Sequence, residues 1–206
     1  MRFVAILMAF SLLLPLPAVA EEIPLADIGP VPGAEDFKRG RVADNNGDSA
    51  QAAFWYRKAA EQGHMDAQHF LGFMYANGEG VRPDGQQAVF WYRKAAEQGD
   101  ADAKYNLGVM YRDGQRVLQD YSEAVSWFRG AAEQGQPLAM TNLGQMYAEG
   151  WGVPKDLVLA HMWANLAAAK GISAAAENRQ RFAQRMTREQ VEAAQRLARE
   201  WLAEHQ

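Results

Sequence analysis

The chain has no cysteine. No disulfide can brace it, no lipid can be attached to a cysteine behind an export signal, and the fold must hold by packing alone. Clusters of valine, isoleucine and threonine are also few. Ala-rich runs with Glu, Gln, Lys and Arg stand in their place, which favours helix over strand. Lys and Arg nowhere gather into a run and the formal net charge is -4, so a nucleic-acid surface is not expected. Catalytic signatures are missing too. There is no His-Glu-x-x-His, no Ser-x-x-Lys, no Gly-x-Ser-x-Gly and no phosphate-binding glycine loop.

What is present is enough apolar material for a folded chain: 49% hydrophobic against 22% charged residues in 206. The N-terminus has the pattern of an export signal. Arg2 precedes the apolar run Phe3 to Leu14, which is too short to span a bilayer comfortably. Pro15 and Pro17 break the run, and Ala18-Val19-Ala20 is an A-x-A cleavage pattern. The expectation is a signal peptide over 1–20, a mature chain from Glu21, and a periplasmic or secreted protein with no membrane span left. Residues 21–32, with Pro24, Pro30 and Pro32, read as a tether. Residues 33–206 read as the folded part.

That part repeats. Trp55, Trp91, Trp127 and Trp163 are spaced 36 apart, as are Gly63, Gly99, Gly135 and Gly171, and Ala67, Ala103, Ala139 and Ala175. Leu-Gly pairs at 71, 107 and 143 and tyrosines at 75, 111 and 147 keep the same period. Self-similarity at this spacing predicts an all-α solenoid of antiparallel helix pairs. Helix A is expected over 65–77, 101–113 and 137–149, helix B over 84–98, 120–134 and 156–170. Asp48, Asp84, Asp120 and Asp156 stand where N-caps belong, and the glycines at 63, 99, 135 and 171 where a helix ends. Met74, Met110, Met146 and the tryptophans, Trp91 among them, are expected in the core. Val81, Val117 and Val153 in the loops should plug back into it. The ends are atypical: 33–47 is a shortened helix A in which Gly40 stands in for Gly72. Ser173 to Arg185 is a charged helix. A capping box, Thr187-Arg188-Glu189-Gln190, opens a last helix with Val191, Ala194, Leu197, Ala198, Trp201 and Leu202 on one face.

The pattern Ala-x-x-x-Leu-Gly-x-x-Tyr, Gly-x-Gly-Val, then Ala-x-x-Trp-Tyr-x-Lys-Ala-Ala-Glu-x-Gly, clearest from Ala67 to Gly99, resembles the Sel-one-like repeat family, relatives of tetratricopeptide repeats. The resemblance covers residues 34–175. It implies a right-handed superhelix whose members act as adaptors, with helix A on the concave side. Three departures stand out. Arg116 replaces the second loop glycine found at Gly80 and Gly152, Ala164 replaces the aromatic of Tyr92 and Phe128, and Gly130 replaces Lys58 and Lys94.

The resemblance directs attention to concave positions outside the core motif. In the first full repeat these are Asp66, His69, Phe70, Phe73 and Asn77. In the middle repeat they are Asp102, Tyr105, Asn106, Val109, Arg112 and Asp113, and in the next Asn142, Gln145 and Glu149. Asn106 and Asn142 sit in equivalent places, and related repeats use such asparagines to hold peptide backbone. Solvated or packing roles are the competing reading. The function expected is non-catalytic binding or scaffolding in the cell envelope, with a protein or peptide partner and no cofactor. The alternative is a cell-wall or β-lactam-binding hydrolase, with peptidoglycan as partner; cysteine-rich secreted members carry that association, and this chain lacks the cysteines. No metal site is expected. His64 and His69, five apart, do not share a helix face, and His161 reads as a packed or surface histidine.

Overall fold

A computed structural model describes residues 31–205. The expected signal peptide and residues 21–30 of the tether lie outside them. Ten helices follow one another: α1 (Ala34–Asn45), α2 (Ser49–Glu61), α3 (Met65–Asn77), α4 (Gly85–Glu97), α5 (Ala101–Asp113), α6 (Tyr121–Glu133), α7 (Pro137–Glu149), α8 (Leu157–Ala169), α9 (Ser173–Ala183) and α10 (Arg188–Glu204). No strand occurs among the described residues. The helices pair as α1·α2, α3·α4, α5·α6 and α7·α8, and each pair stacks on the next. The chain is an all-α repeat solenoid.

Helix starts are set locally. Asp84, Asp120 and Asp156 each accept two backbone N–H bonds at the head of α4, α6 and α8, and Asp48 accepts one, from Gln51, at the head of α2. Helix B ends one residue before Gln62, Gln98, Gln134 or Lys170, and the glycine after that adopts positive φ. The Gln-Gly step also joins repeats. Gln98 Nε2 donates to the Gly63 carbonyl at 3.0 Å, and Gln134 reaches the Gly99 carbonyl at 3.2 Å.

The core is a column of small residues interleaved with rings. Ala88, Ala95, Ala103, Leu107 and Met110 pack with the buried Tyr92, and the same set recurs one repeat later around Phe128. Each ring lies over a glycine of its partner helix. A Cβ on Gly72 would stand 2.8 Å from Tyr92 Cδ1, one on Gly108 2.5 Å from Phe128 Cδ1, and one on Gly40 2.5 Å from Tyr56 Cδ1. Gly40 thus does the work of Gly72 in the shortened first repeat. Val81, Val117 and Val153 are partly buried against the core.

One expectation needs correction. The residue that fills the core is the one after tryptophan, not tryptophan itself. Tyr56, Tyr92 and Phe128 are fully buried, while Trp55, Trp91 and Trp127 are only half-buried. The last repeat inverts this: with Ala164 in the ring position, Trp163 is buried, and Phe182 of α9 packs against Ala160 and Ala164. The C-terminus also departs from the hairpin rule. Both α9 and α10 pack on α8 and scarcely touch each other. The capping box at Thr187 is formed. Ala194, Leu197, Ala198 and Trp201 of α10 face α8, but Leu202 points outward.

Candidate functional site

The A helices form one side of the stack. α5 touches α7 and α7 touches α9, whereas among α2, α4, α6 and α8 no two successive helices come as close. Side chains bridge that side from repeat to repeat. His69 Nδ1 donates to Asp100 Oδ2 at 2.7 Å, and Asn106 Nδ2 lies 3.4 Å from His69 Nε2. Because a carboxylate oxygen only accepts, His69 Nδ1 carries a proton in this contact. Burial alone would raise the Asp100 carboxyl. The His69 bond and the amides of Ala103 and Asp102 outweigh it and hold the group below its ordinary value. Further along, Gln136 Nε2 donates to Asp102 Oδ1 at 3.2 Å, and Arg112 Nη1 donates to Asn142 Oδ1. Arg112 also grips Asp113 through Nε and Nη2 at 2.6 and 2.7 Å.

The expected contact residues therefore differ in availability. His69, Phe70 and the exposed Phe73 converge on a cavity of about 280 Å³ with Tyr56, Met74, Asp44 and Glu79. Burial and the nearby Asp44 push the Tyr56 hydroxyl up to about 12, so it stays a neutral donor at the cavity floor. His69, Phe70, Asp66 and Asp102 border a second hollow beside it. Asn77 caps its own helix through the Phe73 carbonyl. Tyr105 and Val109 pack onto the C-terminal core, so they offer only part of their surface. Gln145 is half-buried and Glu149 exposed. Asn142 uses its amide on the Leu138 carbonyl at 2.8 Å and its oxygen on Arg112, which leaves it little to offer.

Asp44 and Glu79 were not foreseen at this cavity. Asp44 belongs to the shortened repeat, where the period breaks, so no 36-residue register points to it. A second feature was legible and overlooked. Arg57, Arg93 and Arg129 share the period, and each donates to the tyrosine hydroxyl of the next helix A: Tyr75 at 2.6 Å, Tyr111 at 3.1 Å and Tyr147 at 3.0 Å. Arg57, Tyr75, Arg82 and Trp91 border a wider cleft of about 750 Å³. Among the described residues, no group of three or more His, Cys, Asp or Glu side chains is placed to hold a metal ion.

These features define a class: a helical-repeat scaffold whose paired helices expose a bridged face along the stack. The Sel1 repeat family matches residues 46–64, 66–100, 101–136 and 137–172, and the chain belongs to it. Two solved relatives are similar over most of the described part. A Sel1 repeat protein from Oxalobacter formigenes is 37% identical with a TM-score of 0.65, over 69% of this chain and 60% of its own. A protective antigen present in uropathogenic Escherichia coli strains, which displays an SLR fold, is 30% identical with a TM-score of 0.51, over 84% of this chain and 46% of its own. This chain thus spans less than two thirds of either relative. Cysteine rich protein B of Helicobacter pylori shares the fold at 22% identity and a TM-score of 0.51, over 64% of this chain and 95% of its own. No curated protein matches the chain at a significant level.

Proposed function

We propose that the chain is a binding or scaffold protein of the cell envelope whose A-helix face takes an extended segment of a protein partner. The observation that carries this reading is the cavity of Tyr56, His69, Phe70, Phe73 and Met74. It has apolar walls, Asp44 and Glu79 among its lining, and a ring, Phe73, that remains 40% exposed. A large side chain of the partner anchors there, and its backbone runs on past Asn106 toward Arg112, where amide and guanidinium groups meet peptide carbonyls. The envelope location rests on the Arg2, Phe3–Leu14 and Ala18-Val19-Ala20 pattern.

The test is site-specific photocrosslinking in the producing cell. A photoreactive side chain at Phe73 or Val109 should trap a protein partner. The same group at Phe90, exposed on α4, should not. Crosslinks from position 90 alone would move the site to the B-helix side. N-terminal sequencing of the protein from the fractionated envelope should start at Glu21; a chain beginning at Met1 in the cytoplasm would refute the location.

A further inference from the structure

We propose that the cleft between α8, α9 and α10 is a second binding site, for a carboxylate, and that its occupant is the carboxylate end of a peptide with a small apolar last residue. The site is separate from the A-helix face and does not depend on it.

Three helices build the cleft in the same way. Each contributes two residues one turn apart: His161 and Asn165 from α8, Arg179 and Ala183 from α9, Val191 and Gln195 from α10. The space is about 370 Å³. Gln180 stands at its edge, and no carboxylate of the described residues lines it. The wall therefore carries a positive charge, from Arg179, and no negative one. Arg179 gives Nη1 to Asn165 Oδ1 at 2.9 Å and forms no ion pair among the described residues. Its positive charge meets no fixed negative one, so an anion in the cleft would be the charge partner it lacks.

His161 supports this. Its residue is 3% exposed, and Nδ1 is buried without a hydrogen-bond partner. Burial, helped by the neighbouring Arg179 charge, holds its pKa below the usual histidine value, so the ring is neutral near pH 7. With no acceptor for Nδ1, the single ring proton belongs on Nε2. A neutral imidazole donor beside a guanidinium suits an acceptor that is already ionised. Because Arg179 engages the oxygen of Asn165, the N–H₂ of that amide is left as a further donor. Val191 and Ala183 leave an apolar patch next to these donors. A carboxylate with a methyl or isopropyl side chain on its α-carbon satisfies both halves. A phosphate would leave the apolar patch uncovered, and a cation would face Arg179.

The experiment is NMR of the whole mature chain, following the ring nitrogens of the four histidines during titration. The probe is acetyl-Ala-Val with a free carboxylate. The expected result is a saturable shift confined to His161, and none with the C-terminal amide of the same peptide. Arg179→Gln should weaken binding by about tenfold or more, the loss expected for one charge-assisted hydrogen bond. Gln180→Glu, at an exposed position that leaves the fold alone, should weaken it as well by placing a like charge at the rim. Equal shifts from acid and amide would overturn the carboxylate assignment. Acetate binding as tightly as the peptide would overturn the peptide occupant. Unchanged affinity in both variants, with native circular dichroism, would overturn the site.

Discussion

Arg116 and Gly85 have exchanged the roles that their counterparts play in the neighbouring repeats. In two loops, a glycine packs against the first residue of the preceding helix B. A Cβ on Gly80 would stand 2.0 Å from the Ser49 carbonyl oxygen, and one on Gly152 2.3 Å from that of Tyr121. In the loop between α5 and α6 the side chain sits on the other partner. Arg116 holds a left-handed backbone, φ 59°, and a Cβ on Gly85 would stand 2.6 Å from its Cβ and 2.2 Å from its carbonyl oxygen. Arg116 is the one non-glycine with positive φ among the described residues. That conformation costs an L-residue on the order of 1–2 kcal/mol. Its Nε bond to the Ala76 carbonyl at 3.1 Å offsets part of it.

The exchange predicts a coupled pair. Gly85→Ser should destabilise the chain by about 1–3 kcal/mol, because backbone and side chain of Arg116 already fill the space. In an Arg116→Gly background the same change should cost clearly less, since that restores the arrangement of Gly80 with Ser49. A double-mutant cycle in urea measures the difference. Strict additivity would show that the two positions do not compensate each other.

A second prediction separates neighbouring aromatics. Tyr92 is 2% exposed and lies on Gly72, so Tyr92→Ala should cost about 3–5 kcal/mol. Trp91 borders the outer cleft and is only half-buried, so Trp91→Ala should cost distinctly less. Equal shifts in the urea midpoint would contradict the burial difference.

That pair also marks how far the sequence alone can be read. The 36-residue period located every helix of the three central pairs, and the aspartate caps and terminal glycines of the B helices, because these depend on local backbone chemistry. Which of two adjacent rings is buried depends on the rotation of helix B against its partner. Trp91 and Tyr92 share the period equally, so periodicity cannot choose between them. The information lay in Gly72 and Gly108, whose missing side chains receive the ring. At the C-terminus the capping box was readable, but the seat of α10 on α8 was not. Nothing local records which neighbour a last helix meets. The cavity on the A-helix face was half-readable for the same reason. His69, Phe70 and Phe73 lie in register, while Asp44 reaches it from the repeat whose register fails.

Acid should expose the contribution of Asp100. Its carboxyl is held below the ordinary value in the folded state. A depressed carboxylate stabilises the fold at pH above its unfolded value of about 3.9, and that stability is lost as pH falls through the lower folded value. Asp100→Asn should therefore lower stability at neutral pH and flatten the fall below about pH 4. Urea unfolding at a series of pH values measures it. A variant with the parent's full acid slope would assign the slope to other carboxylates.

Asn106 and Asn142 occupy equivalent positions in sequence, yet the structure makes them unequal, and a binding experiment should register the difference. Asn142 is held at both ends, by Arg112 and by the Leu138 carbonyl. Asn106 has only the 3.4 Å contact with His69 Nε2, so its amide can turn to a ligand at little cost. Asn106→Ala should weaken binding of the partner trapped at Phe73 by about 0.5–1.5 kcal/mol while leaving the melting temperature near the parent's. Asn142→Ala should instead act on the protein first. It frees Arg112 from its link to α7 and lowers the melting temperature slightly. Its effect on binding follows only if Arg112 is itself a contact. Calorimetric titration beside thermal unfolding of the two single variants separates the cases. If Asn142→Ala weakens binding as much as Asn106→Ala with no change in melting, both amides must leave their internal partners for the ligand. The bridges across the A-helix face would then be a resting arrangement that the partner displaces.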